Sequence, residues 1–317
     1  MKTFLITGGH GMLGKSMVHF LLKKNFKVVI LDYKKNREKN NFSRKTKNLK
    51  IIKGNFVNQK ILGKILDKYK FEGIFHLGAQ TQVLKALSSP YQTYQINVLG
   101  TLNILEKLRV KYKKIPLVYS SLDKAYGELE KKYYFEDDKL NAIYPYDTSK
   151  SSSDLICQSY SKTYGLKIGI IRSANIFGPY DFNLSRIVPE TIVNSLKKKI
   201  LIIRSNGKMK RDYIYVDDVC RAYYLTYLKL KNSKEKLLIY NTGSNNNLTT
   251  IQIIKKIFKI LKIKPNFKIQ NTSKREIKKQ RLNFKKIQKD LGWKPKININ
   301  LNLKKTINWY KKNFHIL

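Results

Sequence analysis

Two pairs of side chains in this sequence have the types and spacing for proton chemistry. In YPYDTSK, Tyr146 and Lys150 stand four residues apart near the start of a segment with helical spacing, so both project from one face. An ammonium beside a phenol favours the phenolate and lowers its pKa from about 10, which makes Tyr146 an acid–base usable near neutrality. The second pair is Asp123-Lys124 in SSLDKAYG, directly after the apolar run IPLVY. Taken alone, an acid and a base at a strand end read as a solvated ion pair that contributes little. Leu122 before them is unexpected, because a small hydroxyl residue would have a hydrogen bond to offer there and leucine has none.

The elements that must hold these residues alternate. KTFLIT, KVVILD, LKIIKG, GIFHLG, IPLVYSS and KIGIIR read as strands, and GMLGKSMVHFLLKKN, YQTYQINVLGTLNILEKLR and YDTSKSSSDLICQSYSKTYG as helices, the last ended by Gly165. Strands alternating with helices predict an α/β fold with a parallel sheet. Beyond Arg172 the rhythm loosens into loops such as NIFGPYDFNLS and NTGSNNNLTT, with helices near 187–198, 217–230 and 249–262. The expected organisation is residues 1–172 as the sheet-bearing domain with the Tyr-Lys pair. Residues 173–317 form a smaller, mainly substrate-binding domain interleaved with it.

TGGHGMLG joins the first strand to the first helix and reads as a dinucleotide loop. Gly8 permits the sharp turn, and Gly11, with Met12 and Leu13 behind it, lets backbone N–H groups approach a pyrophosphate. Gly14 allows close packing of the helix. Asp32 ends the second strand, where a carboxylate accepts both adenosine ribose hydroxyls and repels a 2′-phosphate, which favours NAD over NADP. Asn55 in KGNFVN suits either the adenine edge or turn chemistry.

Composition narrows the classes. A chain of 317 residues with 42% hydrophobic residues can bury a sizeable core, and no segment approaches the roughly 18 apolar residues of a membrane span. The net charge of +44 invites a nucleic-acid reading, but the lysines are dispersed among Asn and Ile with no nucleic-acid module, so solvated lysine faces are expected. Two isolated cysteines, Cys157 and Cys220, make no disulfide framework and point to a reducing, cytoplasmic setting. The four histidines have no metal-ligand spacing, and no metal is expected.

TGGHGMLG, HLGAQ, NVLGT, YDTSK, RSANIFGP and RDYIYVDD together resemble the NAD-dependent epimerase/dehydratase group of the extended short-chain dehydrogenase/reductases, over nearly the whole chain. The resemblance implies a Rossmann-type, doubly wound parallel sheet with NAD as cofactor. Between about 116 and 218 the sequence looks most like the CDP-glucose 4,6-dehydratases. That likeness implies a nucleotide-sugar dehydratase working by internal hydride transfer and loss of water. A 4-epimerase, or an impaired NAD-binding homologue, is the alternative. By the same resemblance Tyr146 takes the C4 hydroxyl proton, Lys150 holds the nicotinamide ribose, Asp123 is the acid for departing water and Lys124 stands in the base position. Asn175, Arg186, Arg204 and Arg211 match substrate-binding positions, and the helices around 91–109 and 147–163 match those that pair in homodimers. Leu122 occupies the place where most relatives have a Ser or Thr that donates to the C4 oxygen. If Leu122 is an inserted residue in a bulge, Ser121 takes that role.

Overall fold

The computed structural model describes the chain apart from residues 34–41, 43–45, 273–276, 278, 297 and 317. In chain order the strands are β1 (Thr3–Thr7), β2 (Lys27–Asp32), β3 (Leu49–Lys53), β4 (Gly73–His76), β5 (Leu117–Leu122), β6 (Ile168–Ser173), β7 (Asn175–Phe177), β8 (Leu201–Ile203), β9 (Lys210–Tyr215), β10 (Leu237–Thr242), β11 (Asn247–Thr249) and β12 (Phe267–Ile269). The helices that matter here are α1 (Met12–Leu22), α2 (Gln59–Lys68), α3 (Val83–Ser88), α4 (Pro90–Tyr94), α5 (Gly100–Lys111), α6 (Pro145–Tyr164), α7 (Ile187–Leu196) and α8 (Val216–Asn232).

Among the described residues seven strands form one parallel sheet in the order β10-β6-β5-β4-β1-β2-β3. Its central strands are near-continuous apolar runs because helices cover both faces. Phe4 and Ile6 of β1 pack towards α1 and α8 on one side, with Val18, Val219 and Tyr223. Leu5 packs on the other, with Leu62 of α2, Ile104 of α5 and Cys157 of α6. The chain reverses its direction of winding between β1 and β4, so a crevice opens beyond the carboxyl ends of these strands, the place where such sheets bind ligands.

The sheet takes strands from both sides of residue 172. β10, from the second half, lies beside β6, and α8 packs on α1. The rest of that half is a smaller lobe, in which β9 pairs with β7 and with Asn247–Thr249, while β8 pairs with Phe267–Ile269. The helix expected across 91–109 is also interrupted. Between α4 and α5 the turn Gln95–Leu99 is π-helical and turns Asn97 inward. Its amide accepts from the Gln80 N–H at 2.8 Å and donates to Ser149 Oγ at 2.8 Å, which ties the end of β4 to α6.

Between β6 and α6 lies a buried ion pair. Arg172 on β6 makes a two-pronged contact with Asp154 on α6, Nε to Oδ2 at 2.9 Å and Nη2 to Oδ1 at 3.0 Å. Ser121 Oγ on β5 donates to the same carboxylate at 2.7 Å, and Arg172 Nη1 donates to Tyr126 Oη at 2.9 Å. Tyr126 in turn donates to Asn241 on β10 at 2.8 Å. Removing one member strands a charge away from water, which typically costs about 3–5 kcal/mol. Arg172→Met is therefore expected to lower unfolding free energy by about that amount in urea titration, and a loss below about 1 kcal/mol would contradict the reading.

Candidate active site

The crevice is a cleft of about 1120 Å³, larger than a typical site for one small molecule, and it runs from the β1–α1 loop to the C-terminal lobe. All the residues singled out from the sequence border it: Gly8, Gly11, Met12, Leu13, Gly14, Asp32 and Asn55 at one end, Ser121, Asp123, Lys124, Tyr146 and Lys150 at the middle, Asn175, Arg186, Arg204 and Arg211 towards the lobe.

At the loop end the glycines have distinct jobs. Gly8 has φ of 71°, and a Cβ there would come within 2.5 Å of the Gly78 backbone. At Gly14 a Cβ would meet the Gly8 carbonyl at 2.1 Å, so this glycine lets α1 close on the loop itself. Gly11 is different: a Cβ would meet only the Gly8 carbonyl, at 3.4 Å, and would otherwise stand in the cleft at the N-cap of α1. That is a cradle for a pyrophosphate on backbone N–H groups. Asp32, buried at the end of β2, accepts from the His10 N–H at 3.0 Å and borders the same space. The residues present fit a dinucleotide. Asn55 Oδ1 accepts from the Val57 N–H at 3.0 Å, which is turn chemistry.

Tyr146 and Lys150 lie one turn apart on α6, both buried. Lys150 donates to the Ser120 carbonyl and sits 4.4 Å from the centre of the Tyr119 ring. Burial lowers its ammonium to about 8. The expectation that Lys150 lowers the phenol of Tyr146 is not met by the side chains alone. Burial pushes Tyr146 up, Arg186 opposes that, and Asp147 and Asp123 add to it.

β5 ends in a single 3-10 turn, Asp123–Tyr126, held by Tyr126 below and by Gln280 Nε2 donating to the Asp123 carbonyl at 3.1 Å. Asp123 is buried, and burial raises its carboxyl to about 6 although Lys124 and Arg211 pull it down. Asn175 Nδ2 donates to its Oδ2 at 3.3 Å. The arginines have carboxylate or carbonyl partners: Arg186 with Asp181 at 3.1 Å, Arg204 with Glu190 at 2.9 Å, and Arg211 with the Lys210 carbonyl at 3.0 Å. Asp147, Asp181, Glu190 and Gln80 also border the cleft, and sequence reasoning passed over them. Asp147 carried a signal, since it lies inside YPYDTSK.

The bulge expected at Leu122 is absent. β5 pairs with β6 without interruption from Leu117 opposite Ile168 to Leu122 opposite Ser173. Ser121 and Leu122 both border the cleft, but the Ser121 hydroxyl is spent on Asp154 and Leu122 has no donor to offer. The expectation that Ser121 replaces the missing donor is thereby corrected. A lost oxyanion-type donor typically costs about 10²–10³ in rate, so for the C4 oxidation that the resemblance implies, Leu122→Thr should raise the rate at least tenfold in single-turnover kinetics. Ser121→Ala should leave that rate within a few-fold while lowering stability by about 1–3 kcal/mol. A slower Leu122→Thr enzyme would count against this geometry.

The family described as GDP-mannose 4,6 dehydratase matches residues 5–306. A putative UDP-glucose 4-epimerase of Methanocaldococcus jannaschii is 31% identical over 98% of both chains. A trifunctional UDP-glucose 4,6-dehydratase/3,5-epimerase/reductase of Arabidopsis thaliana is 28% identical over 98% of this chain, which spans about half (48%) of that relative's length. Among solved structures, dTDP-glucose 4,6-dehydratase of Bacillus anthracis in complex with NAD superposes with a TM-score of 0.88 at 27% identity, covering 100% of this chain and 98% of that one. These relatives are named for UDP- and dTDP-sugars, without the CDP-glucose likeness noted between 116 and 218. With a family match over nearly its whole length, the chain belongs to the GDP-mannose 4,6 dehydratase family, within the extended short-chain dehydrogenase/reductases.

Proposed function

We propose that the protein is an NAD-dependent nucleotide-sugar 4,6-dehydratase acting on an NDP-hexose, with CDP-glucose the first candidate substrate. The observation that carries this is Asp123: a buried carboxyl, raised to about 6, at the middle of the cleft and beside Asn175. Loss of water from C6 needs a proton donor, whereas exchange of configuration at C4 needs none there. The loop at Gly11 and the carboxylate of Asp32 would hold NAD, which when bound supplies the acceptor for the C4 hydride and its return at C6.

Tyr146 takes the C4 hydroxyl proton, and Lys150 orients the nicotinamide ribose. The 4-keto group acidifies C5–H; Asp123 gives its proton to the leaving C6 oxygen, forming water. Lys124, at the position the resemblance assigns to the base, offers positive charge to the enolate that forms as C5–H is lost. Arg186, Arg204 and Arg211 supply cations for the diphosphate, each exchanging a protein partner for phosphate oxygen.

A homodimer is part of the same proposal. Leu84, Leu87, Tyr91 and Leu99 on α3 to α5, and Leu155 and Tyr164 on α6, are exposed apolar side chains that support it. No helix among the described residues is long and apolar enough to cross a membrane. Two buried free cysteines are compatible with a cytoplasmic setting.

Incubated with CDP-, UDP-, dTDP- and GDP-hexoses in heavy water, the enzyme should give a 4-keto-6-deoxy product with deuterium at C5, read by mass spectrometry. The acid form of Asp123 prevails below about pH 6, so water loss should slow as pH rises through that value. Asp123→Asn should remove both the limb and the dehydration. Epimerised product without deuterium would establish the 4-epimerase instead, the reading that the Methanocaldococcus relative's name favours.

A further inference from the structure

The proposed dehydration needs a group with a lone pair to remove the C5 proton, and an ammonium has none. Asp123 and Asp147 both lie within the electrostatic reach of Lys124. The second of these, passed over in the sequence, has the features the step requires. Asp147 sits in the first turn of α6, directly after Tyr146, and borders the cleft. It is 6% exposed, and its Oδ1 is buried with no hydrogen-bond partner among the described residues. A carboxylate oxygen left in that condition is costly unless something else uses it.

The neighbours place it among the reacting groups. Tyr146 feels both Asp147 and Asp123, and Asp123 feels Asp147, so the three form a cluster on α6 and the turn that packs against it. C4, C5 and C6 of a hexose are consecutive atoms, so the groups serving them must stand together. Tyr146 serves C4, and Asp123 serves the C6 oxygen. Lys124 and Arg211 supply countercharge to Asp147.

We propose that Asp147 is the base that takes the C5 proton, with Lys124 as the cation that holds it and stabilises the enolate. This rests on the dehydratase reading. As the C5–H bond breaks, its electron pair becomes the C4–C5 double bond of the enolate and the proton bonds to Asp147. The pair then moves to form C5–C6 as the C6–O bond breaks, the leaving hydroxyl taking its proton from Asp123. The proton on Asp147 exchanges with solvent, and after hydride returns to C6 Asp147 protonates C5, which brings the solvent label to that carbon. The proton lost by Asp123 is replaced through solvent by the one Tyr146 took from the C4 hydroxyl, so the balance is loss of one water.

Asp147→Asn and Asp147→Glu test this in the full chain loaded with NAD and the substrate found in the heavy-water panel. Calorimetric titration should show Asp147→Asn binding NAD and sugar nucleotide as the wild type does. It should still oxidise C4, seen as accumulating near-ultraviolet absorbance of reduced nicotinamide, while C5 deuterium exchange and water loss fall about 10²–10⁴-fold. Asp147→Glu, which keeps a carboxyl, should exchange C5 faster than Asp147→Asn. Exchange by Asp147→Asn within tenfold of wild type would overturn the assignment, and so would equal losses of C4 oxidation and C5 exchange, which mark a role in placing Tyr146. A wild-type enzyme that exchanges no C5 proton would instead overturn the dehydratase reading itself.

Discussion

The site depends on one buried ion pair. Neither Asp154 nor Arg172 can be taken from water without a matched partner, and the guanidinium fork meets the carboxylate at both prongs. The satisfied pair then dictates its surroundings. Asp154 is on the helix that carries Tyr146 and Lys150, Arg172 is on the neighbouring strand, and Ser121 and Tyr126 bracket the turn that carries Asp123 and Lys124. The acid–base groups on α6 and those after β5 are thus fixed relative to one another through a cluster that lies beneath the cleft. The cluster also holds the Ser121 hydroxyl on Asp154, so at the border of the cleft neither Ser121 nor Leu122 has a free donor.

Burial competes with attraction throughout the cleft, and burial prevails at the groups that matter. Asp123 has Lys124 and Arg211 in reach yet holds its proton up to about pH 6. Lys150 is lowered to about 8 by the same cause. Both shifts bring their groups towards neutrality, the condition the proposed acid role of Asp123 requires. Outside the cleft the chain's charge of +44 creates a field that favours the approach of anions.

Much of this was legible because it is local. The glycine spacing in TGGHGMLG, the carboxylate closing KVVILD and the helical spacing of Tyr146 and Lys150 are short-range patterns, and strand boundaries such as Lys27–Asp32 follow from β-branched runs. What escaped depends on contacts between distant segments. The pairing of β10 with β6 joins residues about seventy apart, and the partner of Ser121 lies thirty-three residues on. The direction of Tyr146's shift escaped as well, since it depends on burial and no spacing reports burial. Asp147 lay in view inside a motif, but its open oxygen is visible only in three dimensions.

The most direct measurement is a crystal structure of the protein with NAD and a 4-deoxy NDP-hexose, which binds but cannot be oxidised. If Asp123 is the acid, the C6 hydroxyl oxygen will lie within about 3.2 Å of its carboxyl, directly or through one water, with Leu122 against C4. A sugar whose C6 points away from Asp123, with C4 presented to Tyr146 from either face, would contradict dehydration and leave a 4-epimerase.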